Sequence, residues 1–280
     1  MRLCNAEFAD AQLLDQGISV DNAQAIAIVE SNTMFGDEHF VVPLPWKKSV
    51  NTGMRKYVSA LMRLNGLKRR LINDEALRFR YAQTMKTITE KEYTVSVPEE
   101  QLYCGSSALA PAHHAILNPQ KTENLRIALD CAVKHKEHSL NDMLYQGSDT
   151  TANLVGILLR FRGKRVTVIS DMEEMFMRVR VPKTGRVALR FLRWPQGDHL
   201  KDPEECQMTA YPFGATSLPF CANFTLKRDS REFSSGYGPL MLKAIEETFY
   251  VVDRFASFTT CDGAVRFCEE NHGTIGTMWF

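Results

Sequence analysis

Apolar positions recur first with a helical period and later with a strand period. In DNAQAIAIVES (residues 21–31) Ile26 and Val29 share a face behind Asp21, which predicts a short helix capped by that aspartate. HFVVPLPW (39–46) reads as extended chain stopped by Pro43 and Pro45. From about Met54 to Leu71, residues Met54, Tyr57, Val58, Leu61 and Leu64 follow the i, i+3, i+4, i+7 spacing of an amphipathic helix. Its other face carries Arg55, Lys56, Arg63, Lys68, Arg69 and Arg70, either a solvated surface or one that meets a polyanion. Asn73 is placed to cap a further helix running to about Glu92, with Leu77, Tyr81, Met85 and Ile88 inward.

After Pro98 the period shortens. LRIALD (125–130) and RVTVIS (165–170) alternate as strands do. SLNDMLYQG and NLVGILLRFR (153–162) read as a turn and a helix. MRVRVP (177–182) and ALRFLRW (188–194) predict a strand pair joined by KTGR. FTLKRDSREFSSGYGPLMLKAIEETFYVVDRFASF predicts helix, loop, helix and a tight hairpin. Helices mixed with hairpin-linked strands give an α+β class.

Composition narrows the picture only slightly. Lys+Arg number 34 against 33 Asp+Glu over 280 residues, a formal charge of +1, which excludes a strongly basic coat or an acidic tail. A local groove remains open, since steering depends on where charges sit. Residues 154–193 carry ten Lys/Arg and only three acids, which fits either a backbone-tracking groove or a solvated edge strand. Seven scattered cysteines lack a C-x-x-C pair and no apolar leader precedes them, so a reduced intracellular, cytoplasmic setting is expected. Residues 207–226 are free of charge, but Gln207, Asn223, Pro212, Pro219 and Gly214 make a poor lipid-facing helix, and no membrane partner is expected.

Two segments carry candidate chemistry. RVTVISDMEEMF brings a strand to Asp171, followed by Glu173, Glu174 and Phe176; ETFYVVDRFASF turns at Asp253-Arg254. Carboxylates at the ends of two strands suit Mg²⁺, a hard cation that prefers oxygen, and together can serve phosphoryl transfer. Each is also an ordinary turn residue taken alone. Cys131, His135 and His138 mimic a zinc cluster but lack a fourth ligand at a convincing spacing, and no His/Asn partner marks Cys104 or Cys221 as a nucleophile.

Taken in order, the segments resemble the reverse transcriptase of BEL/Pao-type retrotransposons. ESNTMFGDEHFVVPLPWK is similar to the stretch preceding that polymerase, and HHAILNPQKTENLRIALDCAVKHKEHSLNDMLYQGSDTTANLVGILLRFR to its fingers. SDMEEMFMRVRVP, YPFGATSLPFCANF and FYVVD resemble polymerase motifs A, B and C. The resemblance implies an N-terminal, mostly helical connector over 1–98 and fingers with a partial palm over 99–280, the thumb being absent. It implies that Asp171, the Met172 carbonyl and Asp253 hold Mg²⁺, with Asp171 and Asp253 catalytic. Lys121 and Arg126 would hold the triphosphate of a deoxynucleotide, Phe176 would crowd a ribose 2′-hydroxyl, and Phe213 and Gly214 would open motif B. The implied partners are deoxynucleoside triphosphates and an RNA or DNA template with primer; oligomeric state is left open.

One position breaks the pattern. Where motif C normally reads Y-V-D-D, this chain has Tyr250-Val251-Val252-Asp253, so Val252 replaces a metal-binding aspartate. A barrier raised by about 4 kcal/mol slows a reaction roughly a thousandfold. Little or no polymerase activity is expected. Three readings remain: an active polymerase, an inactive domain that still binds primer–template, and a decayed relic without function.

Overall fold

The computed structural model describes residues 19–47, 57–103, 112–117, 125–134, 138–149, 153–172, 174–234, 242, 245 and 248–274. The elements begin with α1 (Val20–Asn32), β1 (Met34–Gly36), β2 (His39–Val41), α2 (Tyr57–Asn73) and α3 (Glu75–Glu90). Then come β3 (Thr94–Ser96), α4 (Glu99–Tyr103), β4 (His113–Leu117), β5 (Leu125–Leu129), α5 (Leu140–Met143) and α6 (Leu154–Phe161). The rest are β6 (Val166–Asp171), α7 (Met175–Arg178), β7 (Arg190–Arg193), β8 (Glu204–Met208), α8 (Leu218–Glu232), β9 (Phe249–Tyr250), β10 (Asp253–Phe258) and α9 (Cys261–Thr274). The architecture is mixed α+β, with small antiparallel sheets, as the sequence predicts. The chain forms two compact units, one from Met1–Ala27, Gly147–Met175 and Pro219–Phe280, the other from Ile28–Gln146 and Phe176–Leu218.

In the second unit, α2 buries Ala60, Leu64, Leu67 and Leu71. The expected face is therefore rotated: among the described residues of the predicted set Tyr57 and Val58 are exposed, Leu61 is half-buried and only Leu64 is fully inside, Met54 lying outside the described residues. Both sides of this helix carry apolar residues, and packing selects between them. The inward set of α3 is as expected, with Leu77, Tyr81, Met85 and Ile88 all buried. Its cap is Asp74 rather than Asn73, the carboxylate accepting from the Leu77 N–H at 2.9 Å. In α1 the cap is Ser19 rather than Asp21, its hydroxyl accepting from Asn22 N–H at 3.2 Å.

Strands β3, β8 and β7 form one antiparallel sheet, and β4 pairs with β5. The predicted pairing of 177–182 with 188–194 does not occur. Strand β7 pairs with β8, Phe191 opposite Cys206, while Met175–Arg178 closes a helical turn. The extended residues after it run between two other segments. Arg180 N–H donates to the Phe40 carbonyl at 3.0 Å and Val181 N–H to the Thr209 carbonyl at 2.7 Å. The alternation of buried Val179 and Val181 with Arg180 is real, but the partners lie far away in sequence.

The core of this unit is an aromatic group: Tyr81, Phe191 and Trp194 are buried, and Tyr81 stacks on His113 with its hydroxyl 2.9 Å from Nε2. Of the basic stretch, Arg190 and Arg193 are buried and Arg180 is half-buried. Arg193 donates from Nε to Glu204 at 2.9 Å and from Nη1 to the Thr89 and Thr94 hydroxyls. Arg190 reaches Gln101, and Arg180 lies over the Tyr93 ring while donating to the Glu92 carbonyl and the Thr209 hydroxyl. These cations hold the fold together and do not make a phosphate-facing row.

In the first unit, β10 is the central strand between β6 and β9. One face of β10 presents Arg254 and Ala256, both buried. Arg254 lies between two rings, its guanidinium carbon 4.6 Å from the Phe267 centroid of α9 and 5.9 Å from that of Phe249. The other face meets α6: Phe255 packs edge-on against Phe161, and the Ser257 hydroxyl donates to the Arg160 carbonyl at 2.7 Å. Asn153 caps α6, accepting from the N–H groups of Val155 and Gly156.

Candidate functional site

The two candidate carboxylates meet in the first unit. Strands β6 and β10 are antiparallel, with Asp253 the direct register partner of Asp171. Side chains of such partners share one face with Cβ atoms about 5 Å apart. Thr167, Ile169 and Asp171 are exposed along that face of β6, Ile169 by 61%, while on the β10 side the same face is covered by α6 and Asp253 is half-buried. Alternation sends Arg254 to the opposite face, away from both aspartates.

The pair is set by a two-residue hairpin. Tyr250 pairs with Asp253 across Val251 and Val252. Val251 has φ +57°, rare for any residue other than glycine and costly for a β-branched one. Val252 contributes no side-chain oxygen, and its carbonyl accepts the Met172 N–H at 3.0 Å, tying the hairpin to the residue after Asp171. Met172 is buried, and its own carbonyl accepts a long bond from Met175 N–H at 3.4 Å. Glu174 has φ +55°; Glu173 lies outside the described residues. Among the described residues no group of three or more His, Cys, Asp or Glu side chains is placed to hold a metal ion.

The second unit gathers a different set. Arg126, exposed on β5, places its guanidinium carbon 5.7 Å from the Phe213 ring centroid, and Phe176 meets that ring edge-on at 5.6 Å and 86°. A ring with a cation over it and an aromatic edge beside it is held in one orientation. Leu129 N–H donates to the Phe213 carbonyl at 2.9 Å, stapling the following turn to β5. Gly214 has φ +108°, and a Cβ there would stand 2.1 Å from the Leu129 carbonyl oxygen. Glycine is therefore required at this position on two counts. Lys121 and His135 lie outside the described residues.

One residue of this cluster escaped the sequence reading. Asn141, in short helix α5, donates from Nδ2 to the Gly214 carbonyl at 3.0 Å and accepts at Oδ1 from Thr216 N–H at 2.9 Å. Its flanks form a capping box of Ser139 and Asp142, which the sequence does show as a turn signal. Nothing local indicates a side chain that bonds to backbone 73 residues away.

The neighbouring ion-pair cluster is a separate feature. Asp130 bonds to Arg63 and, at 2.8 Å, to His114 Nε2. Burial raises the Asp130 carboxyl, but hydrogen bonds from His114 and Arg63, with their charges, outweigh it and hold it below the ordinary value.

No family model matches the chain. No curated protein matches it either. Among solved structures, a foamy viral protease-reverse transcriptase in complex with double-stranded DNA is similar at a TM-score of 0.49 and 13% identity, over 69% of this chain. The match spans 28% of that protein's length. Among the described residues no helix is long and apolar enough to cross a membrane.

Proposed function

We propose that the chain is a reverse-transcriptase-like domain of BEL/Pao type that binds primer–template but has lost most of its nucleotidyl-transfer capacity at Val252. The observation that supports this best is the register of β6 and β10, which sets Asp253 opposite Asp171 beside a two-residue hairpin. Two like charges directly opposite destabilise a strand pair, and a divalent cation between them removes that cost.

The donor set fits one Mg²⁺, an ion commonly bound through one or two carboxylates plus substrate phosphates. Asp171, Asp253 and the Met172 carbonyl would hold it. Bound there, the ion supplies polarisation of a phosphoryl oxygen. The set does not fit a two-ion clamp, because Val252 offers no side-chain oxygen where a second carboxylate would stand. In the second unit, Arg126 would pair with triphosphate oxygens, and Lys121 would serve the same role. Phe176 would crowd the sugar, and Phe213 with Gly214 would bring backbone close to the nucleotide.

Primer extension with the natural chain, Val252→Asp and Asp171→Asn tests the reading. The expected result is extension by Val252→Asp roughly a thousandfold faster than by the natural chain, and none by Asp171→Asn. Equal rates for the natural chain and Val252→Asp would overturn the loss. The natural chain is also expected to bind an RNA–DNA hybrid with an affinity that falls as salt rises; no binding at low salt would overturn the nucleic-acid reading.

A further inference from the structure

We propose that Asn141 is a positioning residue that holds the Phe213–Thr216 turn in the shape that contacts nucleic acid. This inference rests on the reading of the second unit as nucleotide-binding and names a residue that the sequence motifs leave out. The Asn141 amide spans the turn. Its nitrogen donates to the Gly214 carbonyl and its oxygen accepts from Thr216 N–H, so both ends of one planar group are used on residues two apart.

The turn is held from its other side by β5, through the bond from Leu129 N–H to the Phe213 carbonyl. Asn141 is fixed in turn, its own N–H donating to the Cys131 carbonyl at 2.9 Å just past β5. The Ser139–Asp142 capping box fixes the start of α5. Turn, strand and short helix are thus joined by four hydrogen bonds converging on Asn141 and Phe213. What they orient is the Phe213 ring, with Arg126 over it and Phe176 at its side.

Without the amide, Gly214 is free to leave its left-handed conformation, because glycine alone has little preference for it. Phe213 then loses its fixed attitude toward Arg126, and affinity drops through disorder of the platform even though every platform residue is still present. Asn141→Asp is the sharper variant. It keeps the volume and the acceptor for Thr216 N–H but turns an oxygen toward the Gly214 carbonyl in place of the donor.

The test measures binding of a fluorescent RNA–DNA hybrid to the full chain, with thermal melting of each variant recorded alongside. Asn141→Ala and Asn141→Asp are each expected to weaken binding roughly tenfold. Arg126→Ala should weaken it as well, and the Asn141→Ala/Arg126→Ala double variant by less than the product of the two, since both act through one platform. A general loss of stability would not produce that coupling. Wild-type affinity in both Asn141 variants, or losses that multiply fully in the double variant, would overturn the inference while leaving the functional reading in place. Absence of binding by the natural chain itself would overturn both.

Discussion

Gly214 and Val251 both carry positive φ, under opposite circumstances. At Gly214 the residue suits the conformation, and the Leu129 carbonyl leaves no room for a Cβ. Gly214→Ala is expected to destabilise by more than about 2 kcal/mol in urea unfolding, combining backbone strain with a clash against backbone. At Val251 the residue opposes the conformation. Val251→Gly is expected to be stabilising by about 1 kcal/mol, since relief of strain exceeds glycine's added unfolded-state entropy; a clear loss in the same measurement would show that the turn is not strained. His113 adds a pH dependence. Burial, then the charge of His114, push its pKa from 6.5 down to about 4. Below pH 6.5 the unfolded chain takes up a proton that the native ring refuses, so stability falls from there and levels off below about 4, where the native ring also protonates. Replacing His113 with Gln should flatten unfolding curves across that window, whatever it costs in stability.

Among the elements, the β6–β10 pair and the helix starts are the most informative. Asp171→Asn removes a cross-strand repulsion, so without divalent cation the variant is expected to melt higher than the natural chain, by the equivalent of about 0.5 kcal/mol. Added Mg²⁺ should raise the melting point of the natural chain and leave the variant nearly unmoved, as expected for a ligand that binds only the folded form. Equal Mg²⁺ responses would separate the acidic pair from metal binding. At the start of α3, Asp74→Ala is expected to cost about 1 kcal/mol while Asn73→Ala costs little, read by thermal unfolding. The sequence placed this helix but put the cap one residue early, because Asn and Asp are equally good caps and only the backbone entry angle chooses between them. The strand period at 177–182 was equally visible. Its partners were not, since alternation gives the inward face of a segment and says nothing about which distant segment lies beside it.

At the scale of the molecule, a net charge of +1 conceals two uses of arginine. Arg190 and Arg193 are buried inside the second unit and Arg180 is half-buried in backbone and ring contacts, whereas Arg126 is exposed over an aromatic ring. Arg126→Ala is therefore expected to reduce hybrid affinity and shallow its salt dependence, measured as the slope of log affinity against log salt. The same slope should be kept in variants of Arg193 that still fold. By itself, the sequence determined the α+β class, most helices and several strands, and the candidate carboxylates, because period, caps and short motifs are local properties of the chain. Tertiary structure decided the rest: Asp253 set opposite Asp171, β7 paired with β8, Arg190 and Arg193 drawn inward, and Asn141 bonded across to Gly214. Each joins residues far apart in sequence, through register and packing, and such partners are chosen only when the whole chain has folded.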